Sequence, residues 1–260
     1  YLSHFAPHNP LQALRDDYDH FHHIEGESSE ELKVYSAMLK ALDRSVGRIL
    51  DTLEKNNLTD NTLIVLTSDN GGANYIHLSD INKPYRGWKL THFEGGLHVP
   101  FMAKWPNKIE PGIEFNAPIH ANDILPTFAA AAGAELPDDR IIDGVNLLPF
   151  LQNHNSDMPH ETLYWLQGRL QTVLHKNWKL ITDHRTGKDW LFNVESDPYE
   201  RINLASEMTL KVEELKRLLN DHKKVQPPPL YDNTMSAPIL IDKHNGYAFQ
   251  DGDEFTYWDN

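Results

Sequence analysis

Hydrophobic and polar positions alternate with a helical period in one long segment of the chain. Between residues 28 and 57, apolar side chains recur every three or four positions, which predicts one amphipathic helix that packs on a sheet. Ser28 and Glu31 have the spacing of a capping box and mark its start. The apolar stripe consists of Leu32, Tyr35, Leu39, Leu42, Val46, Ile49 and Leu53.

Short apolar runs predict strands on either side of this helix. Residues 1–6 are predicted to form a parallel core strand, and residues 63–66 a strand buried on both faces of a sheet. Residues 101–105 continue as a further strand. A second helix is expected to begin at Asn122 or Asp123 and to end at Gly133.

From residue 161 the pattern changes to short strands separated by turn residues. The runs 163–166, 171–175, 178–182 and 190–194 predict an antiparallel meander. A helix over residues 205–223 follows and is stopped by prolines 227–229. The fold class is therefore α/β, with domains at 1–158 and 159–226 and an irregular tail at 227–260.

Composition narrows the class of protein. The chain is 40% hydrophobic and 24% charged, which is ordinary for a globular protein. Its formal net charge of −14 argues against nucleic acid as a partner. There is no cysteine, so disulfides are excluded, and no apolar run is long enough to predict a membrane span. Because the chain begins with Tyr1, inside a predicted strand, we expect it to be part of a longer protein.

Candidate chemistry follows the run at 63–66. Asp69 and Asn70 would lie at the carboxyl end of that strand, where α/β proteins bind ligands, and both offer hard oxygen donors for Ca²⁺ or Mg²⁺. Gly71 and Gly72 then allow the backbone to turn. The alternative is a plain turn without a ligand, since Asp-Asn-Gly-Gly is also a turn signal.

Basic side chains on nearby loops are candidates for anion binding. His8 lies between two prolines, and Lys89 lies on a glycine-containing loop. The alternative for each is an ordinary surface residue. Arg86 is expected to hold its loop through a salt bridge. The histidines at 20, 22 and 23 are interpreted as a solvated loop, and His77 as a surface residue with a possible substrate contact.

The order of these segments resembles the sulfatase family of the alkaline phosphatase superfamily. Its pattern of Asp-Asn-Gly, Arg-Gly-x-Lys and Glu-Gly-Gly-x-x-x-Pro is present at 69–71, 86–89 and 94–100. Residues 122–127, 143–149 and 191–204 resemble later family motifs. The resemblance extends from residue 1 to about 203 and matches the C-terminal half of a sulfatase. It implies part of an alkaline-phosphatase-like sandwich, with a mixed sheet flanked by helices and a small C-terminal antiparallel sheet with a packed helix.

The resemblance also implies an activity, namely hydrolysis of sulfate esters by a formylglycine nucleophile and a divalent metal. Asp69 and Asn70 match the metal ligands, with Ca²⁺ expected and Mg²⁺ possible. His8 and Lys89 match catalytic sulfate contacts, and His92 is a further candidate contact. The nucleophile motif is not found here, so an N-terminal half of the same protein would supply it, and this segment alone would be inactive.

The expected substrate is a sulfated small molecule or a sulfated carbohydrate, and the family favours a periplasmic or secreted location. Two alternatives stay open. One is a phosphate or phosphonate ester hydrolase of the same superfamily, and the other is a non-catalytic fragment or scaffold.

Overall fold

A computed structural model of the chain describes residues 1–153, 155 and 157–260. The chain forms two compact units. The first contains Tyr1–Thr59, Asn70–His98 and Pro238–Thr256, and the second contains Asp60–Asp69, Val99–Ala237 and Tyr257–Asn260. The predicted domain boundaries at 158 and 226 stay predictions.

Helices and strands are mixed throughout, as the predicted α/β class requires. In the described part of the chain the α-helices are α1 (Arg15–Tyr18), α2 (Ser29–Lys55), α3 (Glu94–Leu97), α4 (Ile124–Ala132), α5 (Leu148–Leu151) and α6 (Thr209–Val225). The strands are β1 (Ile64–Thr67), β2 (Phe101–Lys104), β3 (Thr162–Gln167), β4 (Leu170–His175), β5 (Trp178–Asp183), β6 (Lys188–Asn193), β7 (Ser236–Leu240) and β8 (Phe255–Asp259).

The long helix is confirmed, but two expectations about it are wrong. Ser28 has a φ of 55° and makes no side-chain cap, so the capping box does not form. The residues that α2 buries are Ala37 and Met38, whereas Leu39 of the predicted stripe is 40% exposed. An apolar stripe is buried only where another element covers it. In the first unit α2 contacts α1, and an ion pair of 2.7 Å between Arg44 of α2 and Asp17 of α1 joins the two helices.

The predictions for the first two strands also need correction. Residues 1–5 do not form a strand, and Phe5 is 68% exposed. β1 pairs antiparallel with β2, with Ile64 opposite Lys104 and Thr67 opposite Phe101, and it is only half-buried. A strand is buried on both faces only in a sheet that is covered on both sides, and this sheet contains two strands in the described chain.

The antiparallel meander is confirmed. Strands β3 to β6 pair in sequence order, and α6 packs on this sheet. Their shared core consists of Val173, Leu180, Leu191, Val212, Leu215 and Leu219. α6 begins at Thr209 rather than at 205, because the Asn203 side chain accepts hydrogen bonds from the Leu191 and Ala205 amides and holds the chain in a turn.

α4 ends at Gly133 as predicted, since this residue adopts the left-handed conformation with a φ of 67°. The expectation of an irregular tail is wrong. β7 and β8 form a two-stranded sheet, and Ile239, Leu240 and Ile241 are buried. Pro238 lies inside β7 and weakens the strand signal in the sequence, because proline is confined to edge strands and bulges.

Candidate functional site

Three glycine-containing turns of the first unit pack backbone against backbone. The Gly71 amide donates to the Gly96 carbonyl at 3.1 Å, and the Gly95 amide donates to the Arg86 carbonyl at 2.7 Å. A Cβ on Gly71 would lie 1.7 Å from the Gly95 carbonyl oxygen. Gly71 is therefore required because two chain segments approach each other closely at this position. The sequence pattern explains this glycine only by the turn of the backbone.

The same framework fixes the backbone of Lys89. The Lys89 amide donates to the Gly72 carbonyl at 2.9 Å. The Asn82 side chain accepts from the Gly72 amide at 2.7 Å and donates to the carbonyls of Gly72 and Gly87 at 2.9 and 3.0 Å. Sequence reasoning missed Asn82, since its partners are ten and five residues away and no local motif links them.

The structure brings together two of the predicted site residues, His8 and Lys89. Lys89 Nζ lies 3.4 Å from His8 Nε2, and His8 Nδ1 lies 2.8 Å from the Asn9 carbonyl oxygen. A carbonyl only accepts and an ammonium only donates, so these contacts select the neutral imidazole with its proton on Nδ1. The pair thus offers the positive charge of a half-buried lysine beside an exposed imidazole whose Nε2 accepts a hydrogen bond.

Asp69 and Asn70 are the second and third residues after β1. Asp69 is exposed and Asn70 is half-buried, and Asn70 Nδ2 donates to the Gly71 carbonyl at 3.0 Å. The oxygens of a carboxylate and of a side-chain amide are of the kind that binds hard cations. The two residues fit a hard divalent cation in kind but not in number, since such ions take six or more oxygens. Among residues 1–153, 155 and 157–260, no three His, Asp or Glu side chains form a metal-binding group.

Arg86 has the structural role that the sequence predicted. Its guanidinium donates two hydrogen bonds of 2.7 Å to Asp242 and also contacts Glu254. Burial alone would lower the pKa of Arg86, but these two carboxylates raise it above its ordinary value. Arg86 therefore fastens the loop that carries Lys89 to the segment between β7 and β8.

His92 differs from the other predicted contacts, because it lies in the interior of the first unit and is only 5% exposed. Its role as a substrate contact stays a prediction. His20 and His22 each contact a backbone carbonyl through Nδ1, at 2.8 Å, which agrees with the interpretation of a local loop structure.

A second polar cluster lies in the second unit and surrounds Asp123. The fully buried carboxylate accepts hydrogen bonds from the His120 amide at 2.7 Å, the Val145 amide at 2.9 Å and His160 Nε2 at 2.8 Å. Burial would raise the pKa of Asp123, but these donors lower it below its ordinary value. The cluster joins the motif at 122–127 to the motif at 143–149. His160 was not predicted, because nothing in the local sequence links it to Asp123.

Comparison with known protein families gives a consistent assignment. The family model described as sulfatase matches residues 1–134, and a model described as N-sulphoglucosamine sulphohydrolase, C-terminal, matches residues 87–225. The chain belongs to the sulfatase family.

Curated relatives agree with this assignment. The chain is similar to steryl-sulfatase of Rattus norvegicus, with 38% identity over 63% of this chain and 29% of the relative. It is also similar to the uncharacterized sulfatase YdeN of Escherichia coli, with 36% identity over 64% of this chain and 29% of the relative. The chain thus spans less than a third of the length of these relatives.

Solved structures show the same fold. The crystal structure of Ps i-CgsB in complex with k-i-k-neocarrahexaose has a TM-score of 0.73 and 33% identity, and the match covers 84% of this chain and 48% of that one. A protein in complex with its substrate D-glucosamine-2-N,6-O-disulfate has a TM-score of 0.55 and 25% identity, over 78% of this chain and 43% of that one. The predicted alkaline-phosphatase-like fold is confirmed by these similarities. Within the part of the chain that the structure describes, no helix is both long and apolar enough to cross a bilayer.

Proposed function

We propose that the protein to which this chain belongs hydrolyses sulfate esters, with sulfated carbohydrates as the favoured substrate class. The observation that carries this proposal is the contact of Lys89 with His8, 3.4 Å apart, in a chain of the sulfatase family. One of the similar structures is a complex with k-i-k-neocarrahexaose and another is a complex with D-glucosamine-2-N,6-O-disulfate, which supports the carbohydrate class. The family favours a periplasmic or secreted location.

Lys89 and His8 would bind and orient the sulfate group. The Lys89 ammonium donates to a sulfate oxygen and stabilises the negative charge that develops as the ester S–O bond breaks. Because the backbone of Lys89 is fixed to Gly72, this charge is positioned before the substrate arrives. His8 accepts from the ammonium through Nε2 and keeps it pointed in one direction.

Asp69 and Asn70 would supply two of the ligands of a divalent metal, with Ca²⁺ favoured and Mg²⁺ the alternative. When bound, such a metal acts as a Lewis acid on the sulfate oxygens. A shell of six or more oxygens requires ligands beyond these two residues. We infer that an N-terminal half of the same protein provides them together with the formylglycine nucleophile, and that this segment alone is inactive.

Exposed apolar side chains in the second unit are a further argument for an N-terminal half that packs on this chain. Met102 on β2 is 56% exposed, and Leu125 and Phe128 on α4 are 57% and 43% exposed. Covering such residues would bury apolar surface at about 25 cal/mol per Å². An N-terminal half that packs here would therefore gain stability.

The test compares sulfate and phosphate monoesters of the same aryl alcohol with the intact protein and its Lys89→Ala variant. We expect turnover of the sulfate ester, and a decrease of kcat/KM by about 10²- to 10³-fold in Lys89→Ala, as for loss of one oxyanion donor. Lys108→Ala, at an exposed lysine, is the matched control and should retain activity. Preferred turnover of the phosphate ester would replace the proposal by its phosphatase alternative. Absence of turnover of both esters by intact protein loaded with Ca²⁺ would favour a scaffold.

A further inference from the structure

The segment between β7 and β8, residues 241–254, is anchored firmly in the first unit. The Ile241 amide donates to the Glu254 carbonyl at 3.0 Å, and Lys243 pairs with Asp253 at 2.6 Å. Asp242 and Glu254 both hold Arg86, three residues before Lys89. The base of this segment is therefore fixed to the loop that carries the proposed sulfate contact.

The tip of the segment reaches two other loops of the same unit. The Asn245 amide donates to the Asn74 carbonyl at 3.3 Å, and Asn74 follows Gly72, the anchor of Lys89, by two residues. The Tyr247 hydroxyl donates to the Glu27 carboxylate at 3.2 Å. Residues 16–27 and 73–84 are thus joined through residues 245–247.

Three aromatic rings meet at this tip. The His77 and His244 ring centroids are 5.3 Å apart, and those of His244 and Tyr247 are 4.4 Å apart. His244 is 6% exposed, whereas His77 is exposed and Tyr247 is 42% exposed. His77 has a φ of 60°, in the left-handed region that few non-glycine residues adopt. The buried ring of His244 therefore packs against the two exposed rings of His77 and Tyr247 and fixes their positions.

The polar atoms of this cluster are also fixed. The Gly246 amide donates to His244 Nδ1 at 3.1 Å, so the neutral ring carries its proton on Nε2. Burial, with the neighbouring His77, lowers the pKa of His244. The Glu27 carboxylate beside Tyr247 adds an acceptor. Aromatic faces with a few fixed polar groups are the usual lining of small-molecule sites.

We propose that the rings of His77 and Tyr247, supported by the buried ring of His244, form a platform for a sugar ring of the substrate. Glu27 accepts a hydrogen bond from a hydroxyl group of that sugar. This inference rests on the proposed function for the identity of the substrate. The apolar face of a pyranose ring packs on the exposed faces of His77 and Tyr247, and His244 is a positioning residue. The platform selects for a carbohydrate and contributes nothing to an aryl sulfate that lacks a sugar.

The experiment uses the intact protein with two substrates, 4-methylumbelliferyl sulfate and the best-hydrolysed member of a panel of sulfated disaccharides. For His77→Ala and Tyr247→Ala we expect KM for the disaccharide to rise roughly three- to tenfold each, the scale of one aromatic contact. We expect kcat/KM for the aryl sulfate to stay within about twofold. Tyr247→Phe keeps the ring but loses the hydrogen bond to Glu27, so its KM for the disaccharide should rise less than that of Tyr247→Ala. Tyr231→Ala is the control at an exposed tyrosine.

Equal losses on both substrates would overturn the platform, because they would indicate a structural role in the loops. An unchanged KM for the disaccharide would also overturn it. Binding of the desulfated form of every disaccharide in the panel, measured by calorimetry, separates this inference from the proposed function, because it does not depend on turnover. The protein could hydrolyse neither substrate and still bind a desulfated disaccharide. If His77→Ala weakened that binding, the platform would be retained and the sulfatase proposal rejected.

Discussion

The buried ion pair between Lys179 and Glu200 gives a prediction that can be worked out from the structure. Lys179 Nζ lies 2.8 Å from Glu200 Oε1, and the two side chains are 1% and 0% exposed. Lys179 is on β5, and Glu200 lies in the motif at 191–204, with a φ of 57°. The pair therefore holds that motif to the sheet.

Two large and opposing contributions, the attraction between the ions and the cost of their desolvation, set the stability of this ion pair. At an effective dielectric constant of about 20, the attraction at this distance is roughly 6 kcal/mol, and the desolvation of each ion costs several kcal/mol. The intact pair thus contributes little net stability. Replacing Glu200 by Gln removes the attraction but leaves the desolvated ammonium, so we expect a loss of about 3–5 kcal/mol.

Equilibrium urea unfolding, followed by circular dichroism, measures this loss. The control is Glu161→Gln, which removes an exposed pair with Lys176 on the same sheet, where the side chains are 69% and 63% exposed. The control should change the free energy of unfolding by less than about 1 kcal/mol. The double variant Lys179→Met, Glu200→Leu should be more stable than Glu200→Gln, since no buried charge remains. A loss below about 1 kcal/mol for Glu200→Gln would refute this reasoning, as would additive losses in the double variant.

Two further predictions concern the backbone framework and pH. Gly71→Ala should lower stability and sulfate-ester turnover together, because its Cβ would lie 1.7 Å from the Gly95 carbonyl oxygen. The control is Gly47→Ala in α2, whose Cβ meets nothing within 4 Å. This control should stabilise the protein by about 0.5–1 kcal/mol in thermal unfolding. Equal effects of the two substitutions would contradict the close-approach role of Gly71. The lowered pKa of Asp123 means that the folded state binds its proton less readily than the unfolded state, so its stabilisation is present above the ordinary value of 3.8 and is lost as pH falls through the folded pKa. Asp123→Asn should therefore be less stable than the wild type by about 1–3 kcal/mol at pH 7, and it should lose less stability on acidification. Unfolding curves recorded at a series of pH values measure both effects. If the variant and the wild type lost the same stability at acidic pH, this reasoning would be disproved.

The sequence alone determined the elements whose signals are local. Gly133 ends α4, and turn residues between short apolar runs defined the meander β3–β6, because both depend on the conformational preferences of adjacent residues. The helix at 29–55 was predicted from its period. The family was also recognisable, since its motifs are short and ordered along the chain, and a matching family model confirms it.

Only the tertiary structure decided which distant groups meet. Arg86 pairs with Asp242 and Glu254, which are 156 and 168 residues away, and Asp123 pairs with His160, 37 residues away. The stripe of α2 and the strand at 1–6 were misassigned because a periodic pattern reports an apolar face but not what covers it. Chain topology selects the covering element and the partner of each charge, and these long-range pairings leave no periodic signal in the sequence.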